Sequence, residues 1–327
     1  MAERSAVSTV SQIGVETTSG TAVAANKLLT SLMVEPTIET EVDDIAPQGY
    51  IFSTALALNR EWSAAKYSGY PSYEELTYVL AGLVLSTTPS VSGTTGQKWT
   101  FAPTSTGGDT VKTYTIESGS AARAGKFAYS MFNSLNLKWG RTSEPSLSGN
   151  IFAQRYSDGI TLTSTPTALG PTPITPGSIN LYLDTTSAGL GGTQLTKVRE
   201  AELTLDGRWA PVWYLNSSNT SFAGHAEKKP TGTLKVLAAA DSTAMGWLTT
   251  LRAGSTLFGR IQATGPQIGA GPAVNSLKAD LALQVLKVGE FKDDDGLFAI
   301  EWTFGIVHDA TWGKALTIEL INSLSAL

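Results

Sequence analysis

The chain has 327 residues, of which 42% are hydrophobic and 16% charged, with a formal net charge of −5 and no cysteine. The absence of cysteine excludes disulfides and thiolate-based zinc or catalytic sites, and the acidic balance argues against wrapping nucleic acid, which needs clustered Lys and Arg. Few charges with abundant Gly, Ser and Thr favour strands and turns, so the sequence predicts a mainly β fold.

The N-terminal residues carry no targeting signal that we can identify. The opening "MAERSAVSTV" lacks an apolar signal core, and no stretch of the sequence approaches the length of a membrane span. We therefore expect a protein that is made and kept in a cytoplasm.

The first half is predicted to contain a long hairpin and then a short helix. The hairpin strands are "LLTSLMVEPTIETEVDD" and "YIFSTALALNREWSAAKY", and Ser72 with Glu75 forms a capping-box pattern at the helix start. Apolar residues then recur at helical spacing on one side, at Leu76, Val79, Leu80, Leu83 and Val84.

A Ser/Thr/Gly-rich insert follows this helix, at about residues 86–112. Its composition predicts a mobile surface loop, in which Trp99 and Phe101 are candidates for docking elsewhere on the protein.

A Pro/Thr/Gly-rich segment over residues 163–178 has no apolar period and is interpreted as a linker. It divides the chain into two predicted domains, 1–170 and 171–327. The second half again offers two strands and a helix, capped by Asp241 and ended by Gly254. Four residues of this helix are predicted to face inward: Ala244, Trp247, Leu248 and Leu251. Because the elements of both halves follow the same order, we interpret the chain as an ancient duplication.

The C-terminal run "FKDDDGLFAIEWTFGIVHD" raises the question of a calcium loop. That interpretation fails because Phe291 and Trp302 would occupy the first and last ligand positions. Asp295-Gly296 instead predicts a hairpin turn. Beyond it, every second residue is apolar, as in a half-buried strand: Phe298, Ile300, Trp302, Phe304 and Ile306.

Three motifs resemble catalytic or nucleotide sites without matching them. "GSAARAGK" has Ser120 where a phosphate-binding loop needs its first glycine. His308-Asp309 has no nucleophilic serine in an elbow pattern, and Glu74-Glu75 fits a helix N-terminus better than a glycosidase pair. The sequence therefore predicts no enzyme, no cofactor and no metal.

Two predicted strands combine an apolar face with an acidic face. In the first, Val34, Ile38 and Val42 alternate with acids; in the second, Ala201, Leu203 and Leu205 do so. The acids are Glu35, Glu39, Glu41, Asp43, Glu200, Glu202 and Asp206. By themselves such faces are typical of a solvated outer surface.

The sequence resembles the major tail tube proteins of long-tailed, siphovirus-like bacteriophages. The resemblance lies in "IGVETTSGTAVAANKLL", "YEELTYVLAGLV" and "EWTFGIVHDATWGKALTIELIN". It implies two fused tail-tube-type β-sandwich or barrel domains, each with one short flanking helix and a long hairpin. In that family the hairpins of about six neighbouring units join into an inner barrel, and the rings stack into a tube for DNA ejection.

The resemblance therefore implies a virion tail protein, assembled in the host cytoplasm, that forms trimeric rings with pseudo-hexameric symmetry. Its partners would be further copies of itself, other tail proteins, and viral DNA passing through without specific binding. The seven acids would line or border the lumen and repel DNA. The insert and the segment up to Leu28 are candidates for contacts between rings.

The alternative is a carbohydrate- or receptor-binding β-sandwich module, suggested by Trp209, Trp213 and Tyr214.

Overall fold

The protein is mainly β, and we describe it from a computed structural model that covers residues 8–141, 143–215 and 220–327. Residues 1–7, the start of the segment predicted to contact other rings, lie outside the described residues. The strands are β1 (Val10–Val15), β2 (Lys27–Leu29), β3 (Leu32–Ile45), β4 (Ala55–Gly69), β5 (Ser90–Ser92), β6 (Gly96–Phe101), β7 (Tyr114–Ser120), β8 (Arg123–Phe132), β9 (Ser134–Gly140), β10 (Ser146–Ala153), β11 (Ser157–Ile160), β12 (Thr167–Ala168), β13 (Ile179–Asp184), β14 (Val198–Asp206), β15 (Trp209–Val212), β16 (Gly224–Glu227), β17 (Thr231–Ala239), β18 (Leu257–Gln267), β19 (Val274–Asp294), β20 (Leu297–Ile306) and β21 (Leu316–Asn322). The helices are α1 (Glu75–Leu83) and α2 (Ser242–Ala253).

One antiparallel sheet of eight strands, which we call the long sheet, runs through both halves of the chain. Its order is β3-β4-β10-β9-β14-β17-β20-β19. Within each half the order is the same: the two strands of the first hairpin, then the last strand, then the strand before it.

A second layer of strands covers the apolar face of the long sheet in each half. In the first half its order is β12-β2-β1-β7-β8-β11. In the second half it is β13-β18-β19-β21-β6-β5. The 21 residues of β19 belong to both layers, because its first part pairs with β18 and β21 and its last part with β20.

The two helices differ in how far they enter the core. All nine residues of α1 are buried, whereas α2 buries Ala244 and Trp247. Trp247 packs edge-on against Trp302 and Phe304 of the long sheet, with ring centroids 5.6 and 5.4 Å apart. Leu251, predicted to face inward, is 36% exposed, so that prediction is wrong.

Local signals in the second half match the structure. The Asp241 carboxylate accepts hydrogen bonds from the N–H groups of Thr243 and Ala244, and Gly254 ends α2 with a φ of 63°. Asp295 and Gly296 both have positive φ, as a tight β20 hairpin turn requires. Asp293 accepts a 2.7 Å bond from the Gly296 N–H, so this carboxylate stabilises the turn.

The capping box at α1 is only half present. The Ser72 hydroxyl accepts from the Glu75 N–H at 3.3 Å. The Glu75 carboxylate turns away from the helix and accepts from the backbone N–H groups of Thr30 and Ser31, at 2.6 and 2.9 Å. Glu75 therefore ties α1 to the start of β3, which sequence spacing could not show.

Two segments predicted to be flexible are packed into the fold. The insert forms β5 and β6, and β6 pairs with β21 of the second half, which buries Trp99 and Phe101. The expectation of a mobile loop is therefore wrong, although the predicted docking of these two aromatic residues is observed. The supposed linker buries Leu169 and Ile174 against the same core.

Trp302 provides a test of this packing. Its side chain is fully buried, and Trp302→Ala should lower the free energy of unfolding by about 3–5 kcal/mol because it leaves a large cavity. Chemical denaturation of the dispersed chain measures this. Ile51→Ala, at a position that is 94% exposed, is the control and should shift stability by less than about 0.5 kcal/mol; equal effects would contradict the core assignment.

Candidate assembly interface

The two halves are joined edge to edge by the pairing of β9 with β14. Seven residue pairs face each other, from Glu200 opposite Gly140 to Asp206 opposite Ser134. The charges match across this joint: Lys138 lies opposite Glu202 and its ammonium forms a 2.8 Å ion pair with Glu200. That hydrogen bond raises the pKa of Lys138. The joint therefore shows how one four-strand unit of this fold can bind the next.

The two units can be placed in the same register by their buried pairs. Ile151 opposite Ala65 in the first half corresponds to Phe304 opposite Leu234 in the second. Lys138 opposite Ser146 corresponds in the same way to Lys292 opposite Ala299. Val34 opposite Tyr67 corresponds to Ala201 opposite Val236, so Glu35 matches Glu202.

The ends of the long sheet carry strand edges that pair with nothing in the described residues. β3 pairs with β4 alone, and the last part of β19 pairs with β20 alone. Because unpaired N–H and C=O groups form a template for another strand, such edges favour association with a further chain. The β3 edge is blunted near its start, where the N–H and C=O of Val34 bond to the hydroxyls of Ser11 and Ser118 and where Pro36 lacks an N–H.

The acids predicted to line a lumen fall into two groups. Glu35, Glu200 and Glu202 lie on the polar face of the long sheet, with Asp206 exposed at the end of β14. Ala201, Leu203 and Leu205 occupy the buried face, as their alternation predicts.

The other three predicted acids lie at or beyond the place where the hairpin leaves the sheet. Glu39 stands at the last pair before the projection, Glu41 binds Arg60, and Asp43 accepts a 3.3 Å bond from Asn59. Ile38 and Val42, which share the apolar face of this strand with Val34, are 59% and 47% exposed. The apolar face of this strand is therefore buried only at its start.

Sequence reasoning missed the lysines that face these acids. Lys235 lies opposite Glu202 and its ammonium is 3.4 Å from that carboxylate, while Lys66 lies opposite Glu35. The available signal was a lysine set between apolar residues of a predicted strand, Lys138 in "LNLKW" and Lys235 in "TLKVL". The polar face carries alternating charge, so its acids do not act as a uniform negative wall.

The hairpins of the two units each extend beyond the sheet, and in the first unit β3 and β4 stay paired as far as Ile45 opposite Ala55. We call residues 40–61 arm 1 and residues 207–215 with 220–230 arm 2; they begin after the equivalent pairs Glu39 opposite Trp62 and Asp206 opposite Thr231. Arm 2 contains β15 and β16 and folds onto the first half of the same chain.

Arm 2 makes an extensive contact there. Trp209 is 3% exposed and its indole N–H donates to the Leu83 carbonyl at the end of α1, at 3.2 Å. Phe222 is fully buried against Tyr129 and Phe152, with ring centroids 5.2 and 5.6 Å away. Trp213 packs on Trp62, so among the three aromatic residues proposed for ligand binding only Tyr214 is largely exposed. The aromatic cluster thus stabilises the chain itself.

A buried ion cluster accompanies this contact. The Arg208 guanidinium bonds to the Asp109 carboxylate from the insert and to Glu227 of β16 at 2.8 Å. The side chains of Arg208 and Asp109 are 5% and 0% exposed. Since an unpaired buried charge is costly, each partner depends on the other and the insert is locked to arm 2.

His225 completes the contact at the edge of arm 2. Its Nδ1 lies 3.1 Å from the Tyr129 hydroxyl, and its ring packs edge-on against Trp209. Burial lowers the pKa of His225 below its ordinary value. The folded chain therefore favours the neutral imidazole.

Among the described residues no cluster of three His, Asp or Glu side chains is placed to bind a metal ion. Across the same part of the chain, no helix combines the length and the apolar character that crossing a membrane requires.

No protein family model matches this sequence, and no curated protein matches it. Among solved structures, it is similar to a double mutant of the Hcp1 protein from E. coli EAEC 042, with 14% identity, a TM-score of 0.23, and coverage of 39% of this chain and 85% of that one. It is also similar to the SPP1 tail tube, with 12% identity, a TM-score of 0.29, and coverage of 46% and 80%. Both similarities are weak and each covers less than half of this chain, so we base the function on the geometry of the sheet.

The docking of arm 2 should weaken in mild acid. Because the pKa of His225 is lowered on folding from 6.5, the unfolded chain binds the proton more tightly, and stability present above about pH 6.5 is lost as the pH falls toward the lowered folded value. The unfolding midpoint, compared between pH 7.5 and 5.5, measures this loss.

His225→Gln should flatten this pH dependence, and His308→Gln, the matched control at the only other histidine, should leave it unchanged. A slope that persists in His225→Gln would show that another group titrates.

Proposed function

We propose that the protein is a structural subunit that self-assembles into rings, and that the rings stack into a phage tail tube through which DNA leaves the virion. The observation that carries this proposal is the internal β9·β14 joint, together with the equivalent unpaired edges at β3 and β19. One chain already contains a unit-to-unit contact and ends on the two surfaces needed to repeat it.

Repeating the internal joint between chains defines a register. The joint places Lys138 opposite Glu202, so the equivalent contact places Lys292 of one chain opposite Glu35 of the next. Lys292 and Glu35 are both exposed in the single chain. Since opposite charges directly across two strands favour pairing, this pair supports head-to-tail closure. Within this joint the hydrogen bonds of β3 would come mainly from Ile38, because Val34 is already bonded and Pro36 lacks an N–H.

Three chains form the ring that the resemblance implies, since each contributes two units toward about six. At about 4.8 Å per strand and a tilt of about 40°, roughly 24 strands close a barrel with a backbone diameter of about 48 Å. A head-to-tail contact of this kind forms a closed ring when the rotation between units closes and a filament when it does not. Such a channel leaves room for a DNA duplex.

The polar face of the long sheet would line the channel, including Glu35, Glu200, Glu202 and Asp206. Its acids repel phosphate, and the neighbouring lysines limit the net charge of the wall, so DNA would slide without specific binding. Glu39, Glu41 and Asp43 would border the lumen at one rim. The protein would be assembled in the host cytoplasm and located in the virion tail, next to other tail proteins.

Electron microscopy of the purified full chain over a range of concentrations tests the proposal. Rings with three copies of the chain, and striated tubes at higher concentration, are the expected result. A monodisperse monomer at every concentration, in low and in moderate salt, would overturn it.

A charge exchange tests the register of the joint. Lys292→Glu faces Glu35 with a like charge and should raise the concentration needed for assembly by about tenfold, as should Glu35→Lys. Combining both changes in one chain should restore assembly, because the pair is then reversed at every joint.

Lys229→Glu changes the same charge away from both edges and should assemble normally. Failure of the double variant to recover, with both single variants impaired, would mean that β19 and β3 pair in another register.

A further inference from the structure

Arm 1 exposes an apolar surface where arm 2 is covered. Both arms leave the long sheet after equivalent pairs, so they hold the same position in the two units. Arm 2 buries Trp209 and Phe222, but in arm 1 Ile51 is 94%, Phe52 82% and Leu56 72% exposed. An apolar arm of this size is unusual on a protein that acts alone and indicates a binding surface.

The first half shows what covers an arm. Arm 2 lies against the unit whose β9 pairs with its own β14, and its first residue, Gly207, donates its N–H to the carbonyl of Asn133 at 3.2 Å. Phe222 then packs on Phe152 of β10. The arm therefore lies on the unit to which its strand is already joined.

The second half carries the matching surface without an arm on it. Its residue equivalent to Phe152 is Gly305, since Phe152 lies opposite Ala64 and Gly305 opposite Thr233. Leu286 lies beside this glycine, since a Cβ added to Gly305 would be 3.9 Å from the Leu286 Cβ. The Leu286 side chain is 66% exposed. We call the surface formed by Leu286 and Gly305 the vacant seat, and the equivalent surface at Phe152, which arm 2 covers, the filled seat.

The vacant seat adjoins the end of α2, as the filled seat adjoins the end of α1. Gln284, two residues before Leu286, donates to the Gly254 carbonyl at 3.4 Å, and Leu251 in the last turn is partly exposed. In the filled seat the corresponding end of α1 accepts the indole N–H of Trp209. Both surfaces thus combine the end of a long-sheet strand, β10 or β20, with a helix C-terminus.

We propose that arm 1 of one chain docks on the vacant seat of the next chain, with Phe52 against Leu286 and Gly305. The occupant is a second copy of this chain, because the strand that leads into arm 1 is the β3 edge that pairs with the neighbour's β19. Along the chain, Phe52 lies about as many residues before Trp62 as Phe222 lies before Thr231, and Trp62 and Thr231 are the equivalent positions at the base of the two arms. This inference rests on the proposed ring and assigns its second contact.

The chain has no cysteine, so introduced thiols can report the contact directly. Chains with Phe52→Cys and chains with Leu286→Cys are mixed, assembled and treated with a bismaleimide of about 10 Å span. A cross-linked dimer in the assembled mixture, and closed trimers from the double variant, are the expected products. Both positions are exposed in the single chain, so the variants keep the fold.

Val91→Cys in place of Leu286→Cys is the matched control; Val91 is 70% exposed on β5, the insert strand at the edge of the second-half layer, and the variant should give little product. Phe52→Ser should raise the concentration needed for assembly by about tenfold, since a buried aromatic contact is lost at each joint.

The outcomes separate the two proposals. Rings or tubes without the Phe52–Leu286 product, or with products longer than three chains, would overturn the docking of arm 1 within the ring while the tube function stands. The longer products would indicate that arm 1 binds the adjacent ring. Without any assembly of the unmodified chain, both proposals fall.

Discussion

Every backbone N–H and C=O in a sheet needs a partner, and this constraint shapes the whole molecule. The long sheet meets it at seven strand contacts within the chain, including the β9·β14 contact between the halves. At the two ends of the sheet, the outer edges of β3 and of the last part of β19 pair with no strand among the described residues. Most proteins cover or blunt such edges, and here the Ser11 and Ser118 hydroxyls and Pro36 blunt only the start of β3. The remaining edge groups are open to another strand, and in the proposed ring a further copy of the chain pairs with them.

Elements of each half pack into the other half. The insert of the first half adds β6 to the second-half layer, and arm 2 of the second half lies on the first. Near the C-terminus, the Asn322 amide donates to the Tyr73 carbonyl and the Thr77 hydroxyl of the first half, at 2.8 and 2.7 Å. These contacts therefore cross between the halves in both directions. In the proposed ring, a constant angle between units is what would let repeated contacts close.

The polar face of the long sheet carries lysines beside its acidic residues. Acids on a strand facing solvent repel one another, and lysines at alternate positions relieve this: Lys138 pairs with Glu200, and Lys235 approaches Glu202. Most of these side chains stay partly exposed, so their contribution to stability is small. Their effect is instead on register, since a slip of the strands would bring like charges together.

Short-range chemistry was readable from the sequence: the Asp295-Gly296 turn, the Asp241 and Gly254 caps, and the alternation of β14 and β20 each depend on neighbouring residues alone. The long sheet has the same strand order in both halves, and the duplication inferred from sequence order stays a prediction. Burial that depends on distant partners was not readable, so Leu251 was misplaced. The insert was taken for a loop because its partner strand β21 lies over two hundred residues away. The sequence by itself determined the mainly β class and the local turns, because those follow from period and backbone propensity. Only the tertiary structure decided which edges are joined, which arm is covered and which lysine meets which acid, because strand pairing is set by the shape of the entire sheet.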